Sequence, residues 1–200
     1  MIRIDIITMG VDVTALGTAV ERVLNLVQMK VGAYVCVSNV HMCMEVFDSV
    51  GFRDVVRGAD LVVADGKPLS IAQKVLGYKD AEQVRGQDIM NALCSLSGKQ
   101  SLNIGFYGGG SEAILSLGKS NLLKQYPDIE ISYTFSPPFR ALSNIEDDDV
   151  IAEINASEVD ILFVGIGCPK QEVWMAEHKE KLNCVMLGVG AAFDFIAGNK

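Results

Sequence analysis

Short runs of β-branched and aromatic residues alternate along this chain with longer stretches of helical period, and that alternation constrains the fold more than any other feature of the sequence. The runs are Ile4–Ile7, Ala33–Val37, Leu61–Val63, Leu102–Tyr107, Ile129–Tyr133, Ile161–Val164 and Cys184–Leu187. Several are apolar throughout, which fits strands covered on both faces and argues for a parallel sheet. Between them, Leu16, Ala19, Val20, Val23, Leu24 and Val27 keep the spacing of an amphipathic helix, with Asp12 and Thr14 marking its start. Comparable helices fit about 40–49, 67–76, 87–97, 111–125, 147–156 and 170–180. Right-handed crossovers would then lay helices on both faces. The expected class is α/β: a Rossmann-like, mostly parallel sheet in one domain over 1–200, with room for two lobes meeting near residue 100 at the polar Ser97–Ser101 connector.

Composition removes several functions. Half of the 200 residues are apolar and 21% are charged, so disorder is excluded. Seventeen Lys and Arg against 25 Asp and Glu leave a net charge of −8 without a basic block, so no nucleic-acid partner is expected. Mean hydropathy is +0.28, yet charges break every apolar run before the roughly 18 residues a spanning helix needs. Asp5 sits where a signal peptide would be apolar, so a cytoplasmic location is expected. The five cysteines are scattered without a C-x-x-C pair and read as inert thiols in a reducing compartment. The apolar composition leaves self-association into a homo-oligomer open.

Ligands of parallel sheets bind beyond the carboxyl ends of the strands, so the residues following each run are the candidates for chemistry. Gly108, Gly109 and Gly110 either let backbone N–H groups approach a phosphate at a helix start or simply form a tight turn. Asp65, after an apolar run and before Gly66, is either a rim carboxylate able to act as general base or a helix cap. Asp147-Asp148-Asp149 has the look of a metal-binding pair of acids, but with Asn144 it reads better as an acidic helix opening, and no metal is assigned. His41 reads as a loop or helix partner and His178 as a solvated helix residue. Gly167-Cys168-Pro169-Lys170-Gln171-Glu172 is more specific: Pro at a first helical turn followed by Lys170 and Gln171 suits a diphosphate or a sugar.

These segments together resemble the WecG/TagA/CpsF family of bacterial glycosyltransferases. The matching pieces are Gly10–Thr14, Ser38-Asn39, Ala64-Asp65-Gly66 with Gln83–Asp88, Leu162–Trp174 and Gly188–Gly198, in family order along essentially the whole chain. The resemblance implies an inverting transferase that moves an N-acetylmannosamine-type sugar from a UDP-sugar donor to a lipid-diphosphate-linked (undecaprenyl) acceptor sugar. Such members build cell-surface polysaccharide or teichoic acid. It casts Asp65 as the catalytic base, Gln171 and the surroundings of Asn39 as pocket residues, and Asp194 as part of the donor region. Ser38, Arg85, Gly108, Gly109 and Lys170 join them as candidate substrate contacts, and no cofactor or metal is expected. Val37 replaces a hydroxyl residue that some members carry, and the basic residue is Arg85 where others place it at the position of Gln83. The family's pattern continues past Ala197-Gly198 into a basic, apolar tail tied to membrane contact, so the expectation is a chain without that tail and a peripheral position at the cytoplasmic membrane face. Two other readings stand beside this one: a non-catalytic nucleotide-sugar-binding module, and a nicotinamide-dependent oxidoreductase, which lacks its G-x-G-x-x-G fingerprint here.

Overall fold

A computed structural model describes residues 1–190 and 192–198, the side chains of Asp194 and Phe195 lying outside the description. Six strands, β3 (Ala33–Ser38), β4 (Leu61–Ala64), β5 (Asn103–Gly108), β6 (Glu130–Phe135), β7 (Ile161–Gly165) and β8 (Val185–Gly188), form one sheet in the order β4-β3-β8-β7-β5-β6. Every pairing in it is parallel. The α/β class expected from the alternating runs is therefore the one adopted. β1 (Arg3–Ile6) and β2 (Met9–Asp12) make a separate antiparallel hairpin.

The period of two along each strand divides the core. Val35, Val63, Phe106, Phe163 and Leu187 face α1 (Leu16–Gln28), α5 (Gly86–Gln100), α6 (Glu112–Gln125) and α9 (Ala192–Ala197). Their neighbours Cys36, Val62, Tyr107, Leu162 and Met186 face the hairpin, α2 (Val40–Asp48), α3 (Val50–Arg57), α4 (Lys67–Val75), α7 (Asn144–Ala156) and α8 (Lys170–His178). Residues such as Leu61, Ile161 and Val185 are fully buried, as strands covered on both faces must be.

Two local expectations give way. The first apolar run is an arm of the hairpin, turning at Ile7, and β2 follows at once. Asp12 and Thr14 do not cap α1, whose N-cap is Ala15. Asp12 instead is 5% exposed, pairs with Arg3 at 2.8 Å and accepts the Val62 N–H at 2.7 Å, pinning the hairpin to β4. A carboxylate that deep has to be paired, and the pairing outcompetes capping. The helix read over 40–49 is α2, and a further helix not expected from the sequence, α3, follows at once from Ser49, which is extended and accepts the Phe52 N–H at 3.2 Å as its N-cap.

The acidic run after Asn144 opens α7, as expected for charge at the positive end of a helix. Its cap is Ser143, reciprocally bonded with Glu146 in a capping box. Four of the five cysteines are buried and Cys168 is half-buried; all are free thiols. Among the described residues no helix is long and apolar enough to cross a membrane.

Candidate functional site

The crossovers diverge between β5 and β7. From β5 the chain runs through α6 to β6 at one edge, whereas from β7 it runs through α8 toward β8, with the two helices on opposite faces. A crevice necessarily opens between the carboxyl ends of such strands. A cavity of about 860 Å³ occupies it, floored by Gly108–Gly110 and Gly165–Gly167. One wall is α8, with Lys170, Trp174 and His178; the opposite wall is the 137–142 segment after β6; Gly190 and Phe193 close the β8 side.

Close packing explains the floor. A Cβ on Gly108, whose φ is +131°, would lie 2.4 Å from the Gly165 carbonyl oxygen, and one on Gly165 would lie 2.1 Å from the Phe193 ring. Beyond it Gly110 meets nothing within 4 Å and leads into Ser111, the N-cap of α6, whose hydroxyl accepts the Ile114 N–H. Glycine is thus required at Gly108 by the close approach of β7, while Gly110 leaves the start of α6 open.

Rings line the α8 wall. Phe135 and Tyr107 lie 5.8 Å apart, Tyr107 and Trp174 stack at 4.3 Å, and Trp174 stacks on His178 at 4.2 Å. His178 is the clearest correction to the sequence reading. It is 3% exposed, with Nδ1 2.6 Å from the Trp174 carbonyl oxygen and Nε2 2.9 Å from the Asp147 carboxylate. Its position four residues after Trp174 puts it on the packed face of α8 and out of solvent.

Asp65 stands elsewhere on the same rim. It follows β4, three strands from β7, a separation of roughly 14 Å at the usual strand spacing. It does not line the cavity, because β3 and β8 intervene. The cap of α4 is Gly66, so the helix-cap reading fails for that helix. The Asp65 carboxylate instead accepts the Gly86 N–H at 3.0 Å, and its main-chain oxygen accepts from the Gln83 amide. Burial pushes the Asp65 carboxyl above its ordinary value, with the Gly86 hydrogen bond and the Arg85 charge opposing. Gly86, the partner of the carboxylate, packs on Val189, one residue before Gly190 on the cavity wall.

The remaining candidates separate into wall and support. Gly108, Gly109 and Lys170 line the cavity. Ser38 does not: it is fully buried, and its hydroxyl donates to the Val63 carbonyl at 2.7 Å. Asn39 caps α2, accepting the Met42 N–H. Arg85 is exposed and forks onto Asp88 at 2.7 and 3.1 Å. Gln171 is 3% exposed and works beneath the floor, accepting the Gly167 N–H at 3.2 Å and donating to Glu172 at 2.7 Å. Ser38 and Gln171 thus both face inward from the sheet rim and bond to the scaffold around the cavity. The Asp194 side chain lies outside the described residues.

Sequence reasoning passed over the 137–142 wall, although it follows a strand end like the others, and over the ring stack, which only the register of β5 against α8 brings together. It also passed over Glu172, fully buried under the floor.

A doubly wound sheet with a cavity over a glycine-floored switch point, beside a helix start and a lysine that makes no ion pair among the described residues, is an architecture suited to phosphorylated ligands. The model of the glycosyl transferase WecG/TagA/CpsF family matches residues 4–200, and the chain belongs to that family. It is 26% identical over 150 residues to an N-acetylglucosaminyldiphosphoundecaprenol N-acetyl-beta-D-mannosaminyltransferase of Staphylococcus aureus, covering 74% of this chain and 57% of that protein. A Bacillus spizizenii protein of the same name is 25% identical over 170 residues, covering 84% of this chain and 63% of its own. The chain thus matches about three-fifths of the length of these curated relatives.

Proposed function

We propose that this chain is the catalytic core of an inverting glycosyltransferase that moves an N-acetylmannosamine-type sugar from a UDP-sugar to N-acetylglucosamine on undecaprenyl diphosphate. The observation that carries the reading is a desolvated carboxylate, Asp65, on the same strand-end rim as a cavity of nucleotide size. The relatives' printed name supports the acceptor and the sugar.

In this reading the nucleoside diphosphate lies in the switch-point cavity, its phosphates against the Gly110–Ser111 helix start and Lys170. The sugar extends past Gly190 toward Asp65, whose carboxylate removes the proton of the acceptor hydroxyl as that oxygen attacks the anomeric carbon. The diphosphate leaves from the opposite face, its growing charge met by Lys170 and the helix dipoles. In this reading these groups act without a divalent cation. A lipid-linked acceptor places the protein at the cytoplasmic membrane surface.

The test is UDP release from UDP-N-acetylmannosamine with a short-chain lipid-diphosphate acceptor, run with and without chelator. Release that depends on the acceptor, survives chelation and vanishes in Asp65→Asn is expected. Calorimetric UDP binding without any transfer would overturn the enzyme and favour a nucleotide-sugar-binding module.

A further inference from the structure

We propose that His178 and Asp147 form an ionic clasp that fixes the outer wall of the switch-point cavity, which makes both of them positioning residues for the nucleoside diphosphate; this rests on the donor reading above. The ring of His178 is held at both nitrogens. Nδ1 lies 2.6 Å from the Trp174 carbonyl oxygen, and Nε2 lies 2.9 and 3.1 Å from the two Asp147 oxygens. A carbonyl and an ionised carboxylate only accept, so the clasp we propose has a proton on each ring nitrogen, an imidazolium held between Trp174 and Asp147. Its surroundings favour that charge: the last turn of α8, where cations are stabilised, and the face of the Trp174 indole at 4.2 Å. Asp147 occupies the complementary place in the first turn of α7.

The clasp joins elements that the chain order does not. α7 follows the 136–143 segment and α8 follows the glycine floor, so the pair, both of whose members line the cavity, joins one wall to the other. Among the described residues it is the one ion pair between α7 and α8. The segment's own charged contacts, Arg140 and Ser143 with Glu146 and the Ser136 N–H with Glu112, hold it to α7 and α6 and not to α8. Releasing His178 therefore removes the ion pair that holds the first turn of α7, and the wall leading into it, against α8, while Asn155 and the buried Val150 and Ile154 keep the rest of α7 in place.

Other ionisable groups share the cavity with the pair, among them Arg140 on the wall, which forks onto Glu146, and Lys170 at the start of α8. Tyr107 on β5 stays protonated, pushed up to about 12 by burial and by Asp147, and Glu177 on α8 lines the same cavity. α3, also packed on α8, sends no ion pair to His178 among the described residues. Trp174, the chain's single tryptophan, lies on the imidazolium and reports its charge, because a protonated imidazole quenches indole emission.

The experiment measures indole emission and calorimetric UDP affinity across about pH 6.5 to 8.5 in the wild type, His178→Gln and Asp147→Asn. Asp147 is a quarter exposed, so the second variant keeps the test open if the first does not fold. Emission should rise with pH in the wild type and stay flat in His178→Gln. The wild type should bind UDP about tenfold more tightly than either variant at the acid end, a ratio that falls toward one at the alkaline end. Taking the ratio cancels the titration of UDP itself, and a merely structural loss would leave it constant with pH. Flat wild-type emission, or a pH-independent ratio, overturns the clasp. Emission that titrates in a protein binding no UDP overturns the donor reading and the positioning role, while leaving the ion pair.

Discussion

The Asp65 carboxylate accepts the main-chain N–H of Gly86 at 3.0 Å and so ties the end of the edge strand β4 to the first turn of α5. One oxygen therefore has an architectural duty while the group as a whole is held in a desolvated setting. Asp65→Asn keeps an acceptor oxygen for Gly86 and removes only the basicity. Transfer should fall by about 10²- to 10⁴-fold, the usual contribution of a positioned base, with UDP affinity and thermal stability near those of the wild type. Steady-state UDP release and calorimetry on the same preparation check this; a variant that still turns over removes Asp65 as the base.

The pH profile of transfer follows from the same burial. A base works only when deprotonated, and the Asp65 carboxyl is pushed above the ordinary value of about 4, chiefly by desolvation. Activity should therefore be full on the alkaline side of that raised value and fall as pH drops through it, earlier than for an exposed carboxylate. The acid limb of kcat/KM measures it. An acid limb at or below the value of a free aspartate would contradict the desolvated setting.

The two ends of the glycine floor should respond differently to a methyl group. Gly108→Ala places a Cβ 2.4 Å from the Gly165 carbonyl oxygen at a φ of +131°, forcing β5 and β7 apart at the crevice. Gly110→Ala meets no atom within 4 Å and carries only the strain of its φ of +70°, about 1–2 kcal/mol. Thermal melts should show a large loss for the first and a modest one for the second. Equal losses would mean that strand spacing is not what demands Gly108.

How much of this was legible in the sequence depends on the range over which each signal acts. Covered strands announce themselves by uniform apolarity, which is why Leu61–Val63 and Ile161–Val164 could be placed, and the strand-end rule then led to Gly108 and Lys170. Asp12 misled because a carboxylate before a helix looks like a cap, while its partners, Arg3 and the Val62 N–H, come from a strand across the hairpin and from β4. His178 misled in the same way: nothing within α8 shows that Asp147, thirty-one residues earlier, closes over it. Ser38 was correctly put at a strand end but not on the correct side of it. Which way a rim residue faces is decided by the neighbouring strand, in this case by the Val63 carbonyl.

Glu172 gives the remaining prediction. It is fully buried under the floor; Oε1 accepts from Gln171 at 2.7 Å, and Oε2 has no partner among the described residues. Burial pushes its carboxyl up, against the opposing effect of the Gln171 hydrogen bond. A carboxyl raised by folding contributes stability that is complete below the unfolded value of about 4.3 and lost as pH climbs through the folded one. Glu172→Gln has no charge to desolvate and keeps an acceptor for Gln171. It should match the wild type in acid and exceed it near neutrality by about 1–3 kcal/mol, the cost of an unsatisfied buried polar group. At about 2–4 °C per kcal/mol for a chain of this size, melts across the pH range resolve the difference. A gap in Tm that stays constant with pH would show that the carboxyl is not held neutral by the fold.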